Sequence, residues 1–355
     1  MKKIFLSVLA IAALASCSKF ETTYEQENEI GFAPASKNIT KAAMTGVLSS
    51  NDDMGIWAYW NGVSGIVEEN AIYNNYTNPY LVNADFTLRT NNQWGGKNQA
   101  YPWPTNGALV FAGYNKPKDG TPAVSASYDG LTSNTLTFTD FEQPTDLSQT
   151  FDLCWFGKTA SSYNNRATNV AVSVTMSHAL TWITIKVKGD GTTAPENGNK
   201  WRITKATLLN VNTKGTGTCT VGDNGPSATW NSSTSSNIII KNSPQYLSTT
   251  ASAYESTTNG IVIIPQTPVQ LEVEYEYPVS GSTYVQGKST IDLTLNHPEA
   301  NKTYKDENGV AINEGITTWL SGKHYTYTLV FKANEILVAP NYGEWATEDK
   351  TVTVE

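Results

Sequence analysis

Alternation of apolar and polar residues is the dominant pattern along this chain. Residues 271–277 alternate leucine, valine and tyrosine with three glutamates, which is the two-residue period of a strand with one face in water. The same period recurs at residues 291–295 and 325–331. Uninterrupted apolar runs at residues 109–112 and 261–264 predict short strands buried on both faces. No segment after residue 17 has the period of an amphipathic helix, so the pattern predicts an all-β protein.

The apolar positions change phase in one place. Between Val172 and Trp182 they are even-numbered, whereas Ile183, Ile185 and Val187 are odd-numbered. One extra residue in a strand exchanges its two faces, so this change predicts a β-bulge at residues 181–183.

The best boundary between domains lies where glycine, threonine, asparagine and proline accumulate, at residues 188–199. A chain of 355 residues is long enough for two β domains. We predict one antiparallel β-sandwich over residues 42–188 and a second over residues 189–355, each with Greek-key connections.

Charge excludes one class of partner. Only 16% of the residues are charged, the net charge is -8, and the isoelectric point is near 5.1. Nucleic-acid binding depends on lysine and arginine against phosphates, so we expect no nucleic-acid partner.

The first 17 residues have the pattern of a secretory signal. Lys2 and Lys3 precede an apolar stretch over residues 4–14, which is too short to span a bilayer. The segment ends Leu-Ala-Ser-Cys at Cys17, and small residues directly before a cysteine resemble the lipobox of bacterial lipoproteins. We therefore expect a lipid on Cys17 and an anchor in the outer membrane. The alternative is an ordinary signal peptide with a coincidental cysteine.

A polar leader follows, over residues 18–41. It contains one short strand candidate, which Pro34 ends. Ile30 and Phe32 are two residues apart, so they would face the same side of a sheet.

Candidate catalytic and metal-binding residues are few. His178 lies on the apolar phase of its strand, which favours a hydrogen-bonded core histidine. His297 and His324 have no ligand-type residue at zinc spacing. Cys154 and Cys219 are predicted to be buried free thiols, with a disulfide as the alternative. We expect no catalytic residue, no metal and no cofactor.

Tryptophans in the first third of the chain provide a competing hypothesis. Trp57, Trp60, Trp94 and Trp103 could stack on sugar rings, although large sandwiches also use tryptophan as core filler. The runner-up function is therefore a surface glycan-binding lipoprotein that does not polymerise.

Several segments, taken in order after the lipobox, resemble the fimbrillin family, the lipoprotein-derived subunits of type V pili. The resemblance rests on the following stretches: Trp94 with Tyr-Pro-Trp-Pro at 101–104 and the apolar run to Tyr114; Asp-Leu-Cys-Trp at 152–155; the alternating strand at 172–180 with His178; Ile-Pro-Gln at 264–266; Gly-Lys-His-Tyr-Thr-Tyr-Thr-Leu at 322–329; and Ile336 to Val338 before Trp345.

This resemblance implies two transthyretin-like sandwiches without catalysis, in a cell-surface fimbria. It also implies assembly with other pilin subunits, and leaves a host or glycan ligand open. A protease removes the leader with its first strand, here Ile30 and Phe32, and a neighbour's C-terminal segment fills the open groove. The donor would lie in residues 335–355. The alternating apolar residues of this tail are Ile336, Val338, Val352 and Val354. The alternative is that the tail is a self-paired edge hairpin.

The chain departs from the family at the cleavage site. Shaft subunits are typically cut after arginine, but the first arginine here is Arg89. The position that resembles the cut is Lys41. An uncut leader would keep the groove filled, so a shaft, tip or anchor position is left open.

Overall fold

The computed structural model describes part of the chain. The described residues are 28–34, 52–61, 78–90, 93–117, 119–130, 133–196, 198–222, 225–255, 260–280, 283–294, 304–305, 311–312, 316–333 and 335–344.

Strands make up most of these residues. The first eleven are β1 (Phe32–Pro34), β2 (Asp52–Trp60), β3 (Asn78–Leu88), β4 (Trp94–Gly96), β5 (Leu109–Pro117), β6 (Ser125–Asp129), β7 (Thr135–Glu142), β8 (Cys154–Phe156), β9 (Val172–Val174), β10 (Ser177–His178) and β11 (Thr181–Gly189). The next eleven are β12 (Arg202–Gly222), β13 (Gly225–Lys241), β14 (Gln245–Tyr246), β15 (Ser252–Ala253), β16 (Ile261–Ile263), β17 (Gln270–Ser280), β18 (Thr283–Asp292), β19 (Tyr304–Lys305), β20 (Ala311–Ile312), β21 (Lys323–Lys332) and β22 (Glu335–Glu344).

The all-β prediction is confirmed. Among the described residues the helical content is a single 3₁₀ turn at Leu147–Gln149. None of the described helices has the length and apolar character needed to cross a membrane. The apolar run at 109–112 lies in β5, and the run at 261–264 forms β16 and the residue after it; both runs are buried, as predicted.

An eight-stranded sheet contains the first strand of the chain. Its order is β10-β8-β5-β2-β3-β4-β1-β9. The strands at its two ends, β9 and β10, are separated by residues 175 and 176 only, so the sheet curls back on itself. Side chains on its inner face form the first core: Ile30, Phe32, Met54, Ile56, Ala58, Leu81, Ala84, Phe86, Trp94, Trp103, Leu109, Phe111, Cys154, Phe156, Val172, Val174 and Met176.

Two further large sheets contain most of the remaining strands, and β19 pairs with β20 in a separate two-stranded sheet. One has the order β15-β11-β21-β22 with β16 beside β11, and the other has the order β18-β17-β12-β7-β6 with β13 and β14 beside β12. Residues of both sheets form a second core that includes Ile185, Leu271 and Tyr327. A middle core, which includes Trp57, Trp155 and Phe138, lies between the outer face of the curled sheet and strands β7 and β12.

The β-bulge predicted at residues 181–183 is wrong. Strand β11 pairs with β16 and with β21 in continuous register through these residues. The phase changes because the chain leaves the eight-stranded sheet at His178 and enters the five-stranded sheet at Thr181. Trp182 then packs in the middle core and Ile183 in the second core.

Several strand pairings join the two halves of the chain on either side of the predicted domain boundary. The boundary after residue 188 falls at the end of β11, whose partners β16 and β21 lie in the second half. Strand β7 also pairs with β12. Two pairings are parallel, β1 with β9 and β11 with β21, within otherwise antiparallel sheets. The limits at 188 and the transthyretin-like topology stay predictions.

Candidate functional site

Residues 29–34, here called the leader segment, fill the middle of the first core. Ile30 and Phe32 are both 0% exposed, as the alternation predicted. Strand β1 lies between β4, opposite Trp94, and β9, opposite Val172. The Ile30 N–H donates to the Tyr101 carbonyl at 2.8 Å, and the Val172 N–H donates to the Gly31 carbonyl at 2.7 Å. The leader segment is therefore an integral strand of the curled sheet.

Phe32 is the central aromatic contact of this core. Its ring meets Phe86 and Phe111 edge-on, with centroids 5.2 and 5.1 Å away, and Phe156 lies 6.5 Å away. Edge-to-face pairs of this kind add to the free energy of apolar burial. Phe32 thus connects β1 with three other strands of the sheet.

Glu29 attaches the leader segment by charge. Its two carboxylate oxygens each accept a hydrogen bond of 2.8 Å from the Arg89 guanidinium. The Gly96 N–H donates to the same carboxylate at 3.0 Å. The Glu29 side chain is only 7% exposed and that of Arg89 25%, so this two-pronged ion pair is partly shielded from water.

The sequence did not predict this ion pair. Glu29 and Arg89 are 60 positions apart, and no local pattern marks either residue. The available signal was the rarity of basic residues, because only 24 of 355 residues are lysine or arginine. Arg89 is the first arginine in the sequence, but only the structure shows that it forms an ion pair with Glu29 of the leader segment.

A cavity of about 70 Å³ lies beside Gly31. Its lining includes Arg89, Gln93, Asn169 and Ala171. A Cβ atom at Gly31 would have its nearest neighbour, the Trp94 carbonyl oxygen, at 3.5 Å, which is ordinary van der Waals contact. The site therefore has room for a side chain that the leader segment does not supply.

The predicted donor residues are placed only in part. Strand β22 pairs with β21 along ten residue pairs and is the last strand of its sheet. Ile336 and Val338 are half-buried against the second core. Residues 335–344 are therefore a self-paired edge strand in the monomer, as the alternative had it. Val352, Val354, Lys41 and Cys17 lie outside the described residues.

The four early tryptophans are mostly interior. Trp57, Trp94 and Trp103 are buried, and Trp60 is half-buried against the first core. Trp60 also donates its indole N–H to the Asn106 carbonyl at 2.9 Å. These rings are core filler, so they give no flat exposed platform for a sugar.

His178 meets two other chemically active side chains. Its Nδ1 lies 3.0 Å from Asp152 Oδ1 and 3.5 Å from Cys154 Sγ. Among the described residues these three form a group whose ligand atoms all lie within 4.8 Å of one another, which is compact enough for a metal ion. Both contacts use the same ring nitrogen, whereas a Cys-His-Asp relay needs the two different nitrogens. The prediction of a hydrogen-bonded core histidine is confirmed.

Two further buried titratable groups, His324 and Glu255, are linked through the Thr184 hydroxyl. His324 stacks on Trp182 with centroids 3.7 Å apart, and Thr184 Oγ1 lies 3.0 Å from its Nε2. Burial, with Lys186 adding repulsion, lowers the pKa of His324 to about 3. The Glu255 carboxylate contacts Thr184 and the Ile185 N–H. In a hydrolase triad the histidine lies between the carboxylate and the hydroxyl. Here the Thr184 hydroxyl lies between the Glu255 carboxylate and His324, so the three groups do not form that relay.

Neither Cys154 nor Cys219 forms a disulfide in the part of the chain that the structure describes. Both are buried, as predicted, and Cys154 contacts His178. Burial raises the pKa of the Cys219 thiol far above its usual range. A thiol in this state is a poor nucleophile because the thiolate is the reactive form.

Comparisons with known proteins agree with the all-β fold. A sequence profile described as fimbrillin-like matches residues 40–345. A fimbrial protein from Bacteroides vulgatus ATCC 8482 has a TM-score of 0.54 at 21% identity, covering 82% of this chain and 93% of its own. A proposed cell adhesion protein from Bacteroides uniformis ATCC 8492 has a TM-score of 0.50 at 15% identity, covering 91% and 100%. No curated protein sequence matches significantly. At these identities the two structures establish the fold alone.

Proposed function

This chain belongs to the fimbrillin-like family of fimbrial structural proteins, and we propose that it assembles by donor-strand exchange after a protease removes its leader. The observation that carries the proposal is the position of the leader segment. Strand β1, which precedes β2 by residues 35–51 in the sequence, supplies Phe32 to the middle of the first core, and Ile30 lies just before it in the same core. Cleavage in the following residues would release it.

Loss of the leader segment provides the driving force for assembly. Phe86, Phe111 and Phe156 would lose their central aromatic neighbour and face water. Strands β4 and β9 would each lose a backbone partner. Reburying such a groove gains about 25 cal/mol per Å² of apolar surface and completes the sheet. A strand from a neighbouring subunit meets both needs, and head-to-tail contacts of this kind build a filament.

Anchoring and release complete the proposal. The signal segment and Cys17 would tether the precursor to the outer membrane through lipid, and cleavage after Lys41 would free the subunit for the fimbria. The family profile begins at residue 40, next to the proposed cut. The glycan-binding alternative loses its main support, because three of the four early tryptophans are buried.

Limited proteolysis tests the proposal. A trypsin-like protease should cut the purified precursor first after Lys37 or Lys41, and the product should then oligomerise, as measured by size-exclusion chromatography with light scattering. A chain with Lys37→Gln and Lys41→Gln is the matched control and should stay a monomer under the same protease. A product that has lost residues 29–34 and remains monomeric would exclude strand exchange for this subunit.

A further inference from the structure

A segment of the tail repeats the sequence of the leader segment. Residues 29–34 read Glu-Ile-Gly-Phe-Ala-Pro, and residues 335–340, here called the tail segment, read Glu-Ile-Leu-Val-Ala-Pro. Glutamate, isoleucine, alanine and proline occupy the same positions in both. The structure shows specific contacts for the first two of these residues in the leader segment, so the match includes two of the residues that hold it.

Two of the four identical positions attach the leader segment. Glu29 accepts two hydrogen bonds from Arg89 and one from the Gly96 N–H. Ile30 is fully buried in the first core. A tail segment placed in the same register would put Glu335 on Arg89 and Ile336 in the position of Ile30.

One of the two positions that differ also suits this exchange, and the other leaves part of the pocket unfilled. Leu337 corresponds to Gly31, beside which the cavity of about 70 Å³ lies. A Cβ atom fits there without strain, so a residue with a side chain is tolerated at this position. Val338 corresponds to Phe32 and is apolar but smaller, so the tail segment would fill the aromatic pocket less completely.

Strand pairing favours the exchange as well. The tail segment now lies in β22, which among the described strands pairs with β21 alone, at the end of its sheet. In the position of the leader segment it would pair with β4 on one side and β9 on the other. Ile336 and Val338 would also pass from half-buried to fully buried positions.

We infer that residues 335–340 of a second copy of this chain replace residues 29–34 after cleavage, in the register of the leader segment. Glu335 then pairs with Arg89 of the accepting copy. The inference rests on the proposed function and adds to it the donor residues, their register and the charge that selects them.

Charge reversal at the tail tests the contact with Arg89. After leader removal, Glu335→Arg should slow assembly at least about tenfold, because two cations would then share a partly buried site. Glu344→Arg makes the same change on the same strand outside the tail segment, and should assemble like wild type. Combining Glu335→Arg with Glu29→Arg and Arg89→Glu should restore assembly. Thermal melting of the uncleaved chains verifies that each variant folds.

Cysteine pairs test the register without altering charge. Ala33 is opposite Ser173 in the leader register, so Ala339→Cys with Ser173→Cys should form a disulfide between copies upon assembly. Asn341→Cys with Ser173→Cys is the control, displaced by two residues on the same strand, and should not link. Linkage through position 341 would overturn the register.

The outcomes separate the inference from the proposed function. A cleaved wild-type chain that does not assemble contradicts both. A wild-type chain that assembles, while Glu335→Arg assembles equally well and the 339–173 pair stays unlinked, contradicts the tail segment as donor and leaves strand exchange standing.

Discussion

At the scale of single residues, Phe32 contributes most to the site. It is fully buried and touches three aromatic rings from other strands. Phe32→Ala in the uncleaved chain should lower the free energy of unfolding by about 3–5 kcal/mol, because it leaves a cavity in a packed core. Chemical denaturation measures this loss.

Val82→Ala is the matched control for Phe32→Ala. Val82 is 70% exposed on β3, so its truncation should change stability by no more than about 0.5 kcal/mol. Equal effects of the two substitutions would show that Phe32 is not part of a closed core.

Glu255 should make stability depend on pH. Burial raises the pKa of Glu255 from its ordinary value of 4.5 to about 7, against the opposing hydrogen bond from the Ile185 N–H. Between pH 4.5 and about 7, the folded chain therefore keeps a proton on Glu255 that the unfolded chain has already lost. The contribution of Glu255 is complete below pH 4.5 and is lost as pH rises through about 7, by at most about 3 kcal/mol.

Glu255→Gln isolates this effect from other titrations. His324, whose pKa is lowered to about 3 by burial, acts in the opposite sense below its ordinary pKa and is present in both proteins. The variant should gain stability over wild type as pH rises from 4.5 to 7, in urea titrations at each pH. A difference that is constant with pH would contradict a raised pKa for Glu255.

Sequence patterns predict single residues where the determinant is local. Ile30 and Phe32 were predicted to share a buried side because alternation shows it directly. The Glu29–Arg89 pair and the meeting of Asp152 with His178 join residues that are distant in the chain. Charge and hydrogen-bonding partners of this kind depend on the order of strands in the sheet, which alternation does not encode.

At the scale of elements, β22 is the strand whose role is in question. Within the described part of the chain it pairs only with β21, which pairs on its other side with β11. A chain lacking residues 335–355 should therefore still fold, with a cooperative thermal transition at a lower temperature. It should fail to join filaments after cleavage, because the tail segment is gone. Calorimetry and size-exclusion chromatography measure the two effects.

Two other outcomes of the truncation are informative. Undiminished assembly would exclude the tail as donor. Complete unfolding of the truncated monomer would instead make β22 a permanent strand of its own sheet. The first outcome differs from the expected one in the chromatography, and the second differs from it in the calorimetry.

A strand is predictable from the sequence where its apolar residues all lie within a single sheet. Strands β5, β16 and β21 follow directly from apolar runs or alternation. The phase change before Ile183 was misjudged as a bulge, because a chain crossing between two sheets produces the same exchange of faces. Periodicity shows that the faces change, but it does not distinguish these two causes.

At the scale of the whole molecule, the curled sheet explains why one short strand matters. Strand β1 closes the first core between β4 and β9, so its removal opens a sheet that otherwise returns on itself. The sequence predicts two sandwiches. It does not predict that the first sheet curls, or that β7 in the first half of the chain pairs with β12 in the second half. Such features arise from pairings between distant strands.

The N-terminus of subunits in the fimbria tests the central claim most directly. Mass spectrometry of chains recovered from surface filaments should find subunits that begin at Ala42 and lack residues 29–34, while precursor retained in the outer membrane should carry lipid on Cys17. Filaments built throughout from chains that begin at Cys17 and keep Ile30 and Phe32 would contradict assembly by leader removal.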